Sequence, residues 1–433
     1  MINYLKKFSL FSAISLVFIS NIAMADALDD QLNASISAYF SKNQTPDHIS
    51  SVQLSVLLPH EDQPRNYIVG TQYFGEPPKA TTDMMFQWGS ITKEYTNVLI
   101  FQLVHQGLFS TNDHLGDLQI LKSYFDPSNP HHWPAAWKNI TINQLMNMTS
   151  GIPSYTSIGG GIEPASYTLE DLINIAADYQ NTQGCDISVG CFTPAGSQWV
   201  YSNTNYIILG LIAEKFSGTS YQNLLNTNIL SQFQEKDPAK PVNVYYDADF
   251  YPANVLSNMV HSYFPYQLSQ KITAWGDWTN WNLSWAASAG ALTGNMQTLV
   301  RMTQALYQNK IDSHVKITDF QSNLVEMPSA TPVVSEQDVQ KDCVFDATKG
   351  PTLWGSCFAN GIMTVYSPKY GQVWWYAGDT MAYRTVYLYF PERHGFIVAI
   401  STDNGQGPGH YLIDLEAFKV GDIILKYLNS NSN

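Results

Sequence analysis

Apolar residues first recur at helical spacing at Leu32, Ile36, Tyr39 and Phe40, which predicts an amphipathic helix over Asp29–Phe40. Two stretches that alternate or run apolar follow, Ser51–Leu58 and Asn66–Phe74. The polar break His60–Arg65 between them predicts a β-hairpin. From Ser90 to about Asn309 the pattern is mainly helical with long loops. Helices are expected at Glu94–His105, Ile142–Met148, Leu169–Tyr179, Asn203–Phe216, Tyr221–Phe233 and Met296–Tyr307. Strand patterns return at Gly361–Tyr366, Gln372–Tyr376, Arg384–Phe390 and Gly395–Ser401, joined by Ser-Pro-Lys-Tyr-Gly and Pro-Glu-Arg-His-Gly turns. A last amphipathic helix spans Tyr411–Tyr427. Strands at both ends of a helical middle predict an α/β (α+β) domain over 26–428. It is an antiparallel sheet flanked by N- and C-terminal helices, with a large mainly helical region inserted. The sheet part falls at about 26–89 and 340–428, the helical part at about 90–339, and 429–433 reads as a disordered tail.

The first residues change the picture of where the chain works. Lys6 and Lys7, the apolar run Phe8–Ile19 and Ala23-Met-Ala25 form a signal-peptide pattern over 1–25, with a cut expected after Ala25. A periplasmic or secreted protein follows, without stable membrane insertion. The net charge of −14 becomes more negative once two signal lysines are gone, which argues against nucleic-acid partners. In an oxidising compartment the pairs Cys185/Cys191 and Cys343/Cys357 read as two local disulfides. A four-cysteine metal site is the alternative, disfavoured because neither pair has the usual close spacing. His131-His132 reads as a surface loop, not a metal site, and no cofactor is implied.

Ser90-Ile-Thr-Lys93 opens the apolar helix Glu94–His105. A hydroxyl and an amine three residues apart share one helix face. The helix N-terminus favours developing negative charge there. Together they fit an acyl-transfer serine with a lysine partner. The competing reading of Ser90 is a simple N-cap. Ser313-His-Val-Lys316 has the same spacing but no sustained helix after it. Tyr201-Ser-Asn203 follows a Pro-Ala-Gly turn and precedes an apolar helix. A tyrosine near a lysine ammonium is pushed towards phenolate and can accept the serine proton; the bland alternative is ordinary loop packing. The tryptophans between Trp275 and Trp285 form a candidate pocket wall.

Four segments in order carry a resemblance: Phe86-Gln-Trp-Gly-Ser90-Ile-Thr-Lys93, Leu145-Met-Asn-Met-Thr-Ser-Gly-Ile-Pro153, Pro194-Ala-Gly with Tyr201-Ser-Asn203, and Ala287-Ser-Ala-Gly290. Over roughly residues 45 to 428 the chain resembles the serine β-lactamase and penicillin-binding-protein superfamily, in the branch of class C β-lactamases, D-Ala-D-Ala carboxypeptidases and related esterases. The resemblance implies Ser90 as acylated nucleophile, Lys93 holding or relaying its proton, and Tyr201 as general base and then acid. It implies that Asn203 orients Lys93 and binds the substrate's acyl amide. The Ser90 N–H supplies one oxyanion donor.

The chain departs from the superfamily at its third element, the Lys-Thr-Gly or His-x-Gly of the pocket strand. The matching stretch reads Trp374-Trp-Tyr376-Ala-Gly378-Asp379, so Tyr376 replaces the basic residue and the Asp379 N–H is the second oxyanion donor. Lys369-Tyr-Gly371 fits formally but reads as a hairpin tip. Tyr376, Gly378 and Arg384 are the expected substrate-binding residues. A neutral phenol weakens the case for carboxylate-bearing substrates, unless Arg384 reaches in to restore the charge; its commoner fate is a solvated strand position. The expectation is a metal-independent secreted serine hydrolase acting through an acyl-enzyme on an ester, amide or peptide, D-Ala-D-Ala carboxypeptidase-like or esterase-like rather than a true β-lactamase. The alternative is a binding or scaffold protein that has kept the fold and lost turnover.

Overall fold

The structure, a computed structural model, describes residues 27–159, 165–268, 271–344, 356–403 and 410–431. The signal pattern and its cut site lie outside them. Helix α1 spans 27–47. The strands β1 (Ser51–Leu57), β2 (Arg65–Tyr73) and β3 (Glu76–Lys79) then lead to the short β4 (Phe86–Gln87). The middle of the chain holds α2 (Thr92–His105), α3 (Ile142–Met146), α4 (Leu169–Gln183), α5 (Asn203–Ser217) and α6 (Tyr221–Asn228). It also holds β5 (Val244–Tyr246), α7 (Ala253–Leu256), the hairpin β6 (Tyr263–Leu268) and β7 (Lys271–Asp277), α8 (Ala287–Gly290), β8 (Leu292–Gly294) and α9 (Met296–Tyr307). The last part runs through α10 (Ile317–Gln321), β9 (Val325–Glu326), α11 (Glu336–Asp342), β10 (Cys357–Phe358), β11 (Met363–Ser367), β12 (Gly371–Asp379), β13 (Arg384–Phe390), β14 (Phe396–Thr402) and α12 (Leu412–Asn431).

The main sheet has the order β3-β2-β1-β14-β13-β12-β11-β10-β9 and is antiparallel throughout. Side chains alternate across a strand, so each central strand feeds two cores. Val52, Leu54 and Val56 of β1, and Val398 and Ile400 of β14, face α1 and α12. Leu32 and Ile36 of α1 and Ile413, Ala417 and Ile424 of α12 complete that layer. Ile397, Ala399, Trp374, Tyr376 and Tyr387 face the helical region instead. Burial on both faces explains why β14 reads as an unbroken apolar run.

Helix α2 lies at the centre of the other core. Every residue from Thr92 to Leu103 is buried, polar ones included. Hydroxyls tie it to its neighbours: Thr96 Oγ1 donates to Ser288 O at 2.6 Å, and Ser288 Oγ to Tyr206 O at 2.9 Å. Disulfides join Cys185 to Cys191 and Cys343 to Cys357. Among the described residues no helix is long and apolar enough to cross a membrane.

Two expectations need correction. The middle region also contains a small sheet, β4-β8-β5, and the hairpin β6–β7. Strands of two or three residues leave no period to read. The hairpin is held by ring stacking rather than by an apolar face, with Phe264 against Trp278 and Trp278 against Trp281. The C-terminal helix runs to Asn431, through the first residues of the expected tail, because Leu425, Tyr427 and Leu428 still pack on the sheet. Ile400 is fully buried between β1 and β13. Ile400→Ala is expected to cost about 2–5 kcal/mol; urea unfolding followed by circular dichroism checks it, and an unmoved midpoint would remove β14 from the core.

Candidate active site

Ser90 sits in the single 3₁₀ turn Gly89–Ile91 that precedes α2. The N-cap of α2 is Ile91, without a side-chain cap bond, so the N-cap reading of Ser90 fails. Its hydroxyl is engaged elsewhere: Ser90 Oγ lies 3.0 Å from Lys93 Nζ and 2.7 Å from the Tyr201 hydroxyl. Lys93 follows one helical turn later and is fully buried. Its second partner is the Ala289 carbonyl at 2.7 Å, and no carboxylate pairs with it. Burial therefore drives its pKa well below the ordinary 10.5. Tyr201 is pushed up to about 12, first by desolvation, against the opposing bond to Ser90. The premise of an ammonium drawing Tyr201 towards phenolate does not hold here.

The strand β12 runs against the start of α2 at van der Waals limits. A Cβ on Gly378 would lie 1.9 Å from Trp88 O and 2.5 Å from Ser90 N. Gly89 has φ +52, and a Cβ there would lie 2.8 Å from Asp379 N. Only glycine permits this close approach of the strand to the turn that carries Ser90. The cleft there has a volume of about 430 Å³, and its lining includes Ser90, Tyr201, Asn203, Trp285, Tyr376, Asp379 and Arg384.

Several expected roles change. Asn203 does not touch Lys93; its Nδ2 donates to Thr156 Oγ1 at 3.1 Å. The Ala289 carbonyl occupies the partner position at Lys93 instead. Arg384 is neither solvated nor free to meet a substrate carboxylate. It is 7% exposed, and its Nε and Nη2 donate to the two oxygens of Asp414 at 3.1 and 2.6 Å. Its Nη1 donates to Asp379 Oδ2 at 2.5 Å, and the guanidinium lies over the Tyr411 ring. Tyr376 reaches the cleft as a buried neutral phenol without a hydrogen-bond partner of ordinary length, its pKa raised by desolvation.

Other candidates lie apart from this arrangement. Lys316 Nζ donates to the Ser313 carbonyl, not the hydroxyl, on an exposed loop. Lys369-Tyr-Gly371 forms the turn between β11 and β12. His131 is exposed and paired with Asp178. Of the Trp275–Trp285 cluster, Trp285 lines the cleft, whereas Trp278 and Trp281 stack at 3.7 Å on the hairpin side. Ala289, Thr156 and Asp414 were missed. Ala289 acts through its backbone, and the other two carry no local motif; only the segment Ala287–Gly290 drew notice.

A helix-borne serine held between an amine and a phenol, under an antiparallel sheet, is the framework of a serine hydrolase. The chain belongs to the Beta-lactamase family, whose family model matches residues 50–420. It is similar to Penicillin-binding protein 4* of Bacillus subtilis (strain 168), 27% identical over 34% of this chain and 29% of that protein. It is also similar to Penicillin-binding protein 4 of Amycolatopsis lactamdurans, 26% identical over 44% of this chain and 45% of that protein. The chain thus matches less than half the length of either. Among solved structures, D-amino acid amidase from Ochrobactrum anthropi SV3 complexed with L-phenylalanine amide shares the fold, with a TM-score of 0.68 and 17% identity over 94% of this chain and all of that one. A penicillin binding protein from Bacillus halodurans gives 0.57 and 17% over 88% and 99%.

Because β12 leaves no room for a methyl group against the turn that carries Ser90, Gly378→Ala is expected to cut acylation of Ser90 at least ~100-fold, the size of a lost oxyanion donor. The second-order rate of fluorophosphonate labelling measures it; a rate near wild type would show that the contact does not matter.

Proposed function

We propose that this protein is a secreted serine hydrolase that works through an acyl-enzyme on a small amide or ester. The observation that carries the proposal is the position of Ser90 Oγ between Lys93 Nζ and the Tyr201 hydroxyl. With Lys93 neutral, Tyr201 donates to Ser90 Oγ, and the Ser90 proton points to the Lys93 lone pair. On attack, the Ser90 Oγ–carbonyl bond forms and the proton passes to Lys93. A buried ammonium without a counter-ion is unstable, so the proton moves on through Tyr201 to the departing nitrogen or oxygen as the scissile bond breaks. Water repeats the sequence in reverse and frees the acid. The N–H groups of Ser90 and Asp379 stabilise the tetrahedral oxyanion. Two disulfides and the signal-peptide pattern support an oxidising, extracytoplasmic setting.

Tyr376 is neutral and Arg384 is already paired, which favours an esterase- or amidase-type substrate over a D-Ala-D-Ala terminus or a penicillin, both of which present a carboxylate.

Intact mass after fluorophosphonate treatment should show one adduct that Ser90→Ala abolishes, with no stable penicillin adduct. A Ser90-dependent penicillin adduct would return the protein to the penicillin-recognising enzymes; no Ser90-dependent adduct at all would favour the scaffold reading. The pH dependence follows from Lys93. Its lowered pKa leaves the free amine present at every pH above that value, so the labelling rate should rise with pH through a limb well below 10.5 and then stay level. Tyr201 remains protonated across this range. A rate that climbs only near the ordinary lysine value would show that Lys93 is charged at rest.

A further inference from the structure

The charges around the cleft do not cancel. Asp414 holds Arg384 with both oxygens, and both side chains are buried. That pair is closed and neutral as a unit. Asp379 is then the surplus carboxylate; burial pushes its pKa up, and the Arg384 guanidinium opposes that shift. One of its oxygens takes the last bond from Arg384; the other, Oδ1, is buried and has no hydrogen-bond partner. The Asp379 side chain is 27% exposed and stands on the cleft wall, next to the N–H expected to bind the oxyanion. No other cation lines the cleft among its described residues: Lys93 lies beneath Ser90 with its charge suppressed by burial, and the family's basic position is Tyr376. His410 interacts electrostatically with Asp379 and Asp414.

We propose that Asp379 selects substrates carrying a protonated amine close to the scissile carbonyl and rejects those carrying a carboxylate there. This deepens the hydrolase reading and rests on it. A buried, unpartnered carboxylate oxygen gains a charge-assisted hydrogen bond from an ammonium that reaches it. A substrate carboxylate meets a like charge instead, and reaches Arg384 only by breaking its bond to Asp379. The aromatic walls at Trp285 and Tyr376 leave the remainder of the substrate apolar.

The test compares methyl thioesters of three acids at neutral pH: phenylalanine in each enantiomer, 3-phenylpropionic acid, and benzylmalonic acid, which has a carboxylate where the amine stood. Wild-type kcat/KM for the better phenylalanine enantiomer should exceed that for the phenylpropionyl ester by about tenfold to a hundredfold, the range of a hydrogen bond to a charged group, with benzylmalonyl slowest. Asp379→Asn should bring the amine-to-unsubstituted ratio close to one, and Asp379→Glu should restore part of it. The backup needs no variant: phenethylamine should protect wild-type Ser90 from a fluorophosphonate at lower concentration than 3-phenylpropionate does. Equal rates for the three acyl groups, or protection led by the carboxylate, would overturn the role of Asp379. Labelling at Ser90 in the same samples keeps that failure distinct from failure of the hydrolase reading, which predicts the adduct whatever the acyl preference.

Discussion

The site depends on how closely a strand can approach a helix. Between β12 and the turn that carries Ser90 there is no room for a single side-chain carbon on either side, at Gly89 or at Gly378. Two backbones in contact hold their geometry without relying on any rotamer. That contact sets the distance from Ser90 to the strand. Lys93, one turn further on, is fully buried, and burial pushes its pKa well below the ordinary value.

Burial without a counter-charge distinguishes this lysine from a structural one. Arg384, also buried, is by contrast paired with Asp414 and Asp379. An unpaired buried charge is costly, and burial accordingly pushes the Lys93 pKa well below its ordinary value. Glu94, its neighbour in sequence, takes a hydrogen bond from Tyr387 and is likewise pushed towards its neutral form by burial. Consecutive ionisable residues thus serve a helix that is enclosed on all sides.

Much of this was legible in the sequence. The strands of the main sheet alternate or run apolar, and the turns between them are rich in Gly and Pro. Ser90, Lys93, Tyr201 and the Tyr376–Asp379 stretch were found because each sits in a recognisable local context. What stayed hidden depends on distant pairing. Asp414 lies on a helix that reads as plain amphipathic, and nothing near it in sequence announces Arg384. The Ala289 carbonyl is invisible to a reading of side chains. Arg384 was placed on its strand correctly, yet its partners, and with them its charge state in practice, follow from tertiary structure alone. The small strands β4, β5 and β8 were too short to carry a period.

Position 379 joins two tasks in one residue. In the proposed reaction its backbone nitrogen binds the oxyanion, and its carboxylate selects the charge that flanks the reacting carbonyl. A mutation replaces the second and leaves the first in place. Natural drift or laboratory selection at this codon can therefore move the protein between charge classes of substrate while the machinery for breaking the bond stays intact. For a scaffold whose strand-to-helix contact tolerates no change at positions 89 and 378, the adjacent position is where new preferences are cheapest to explore.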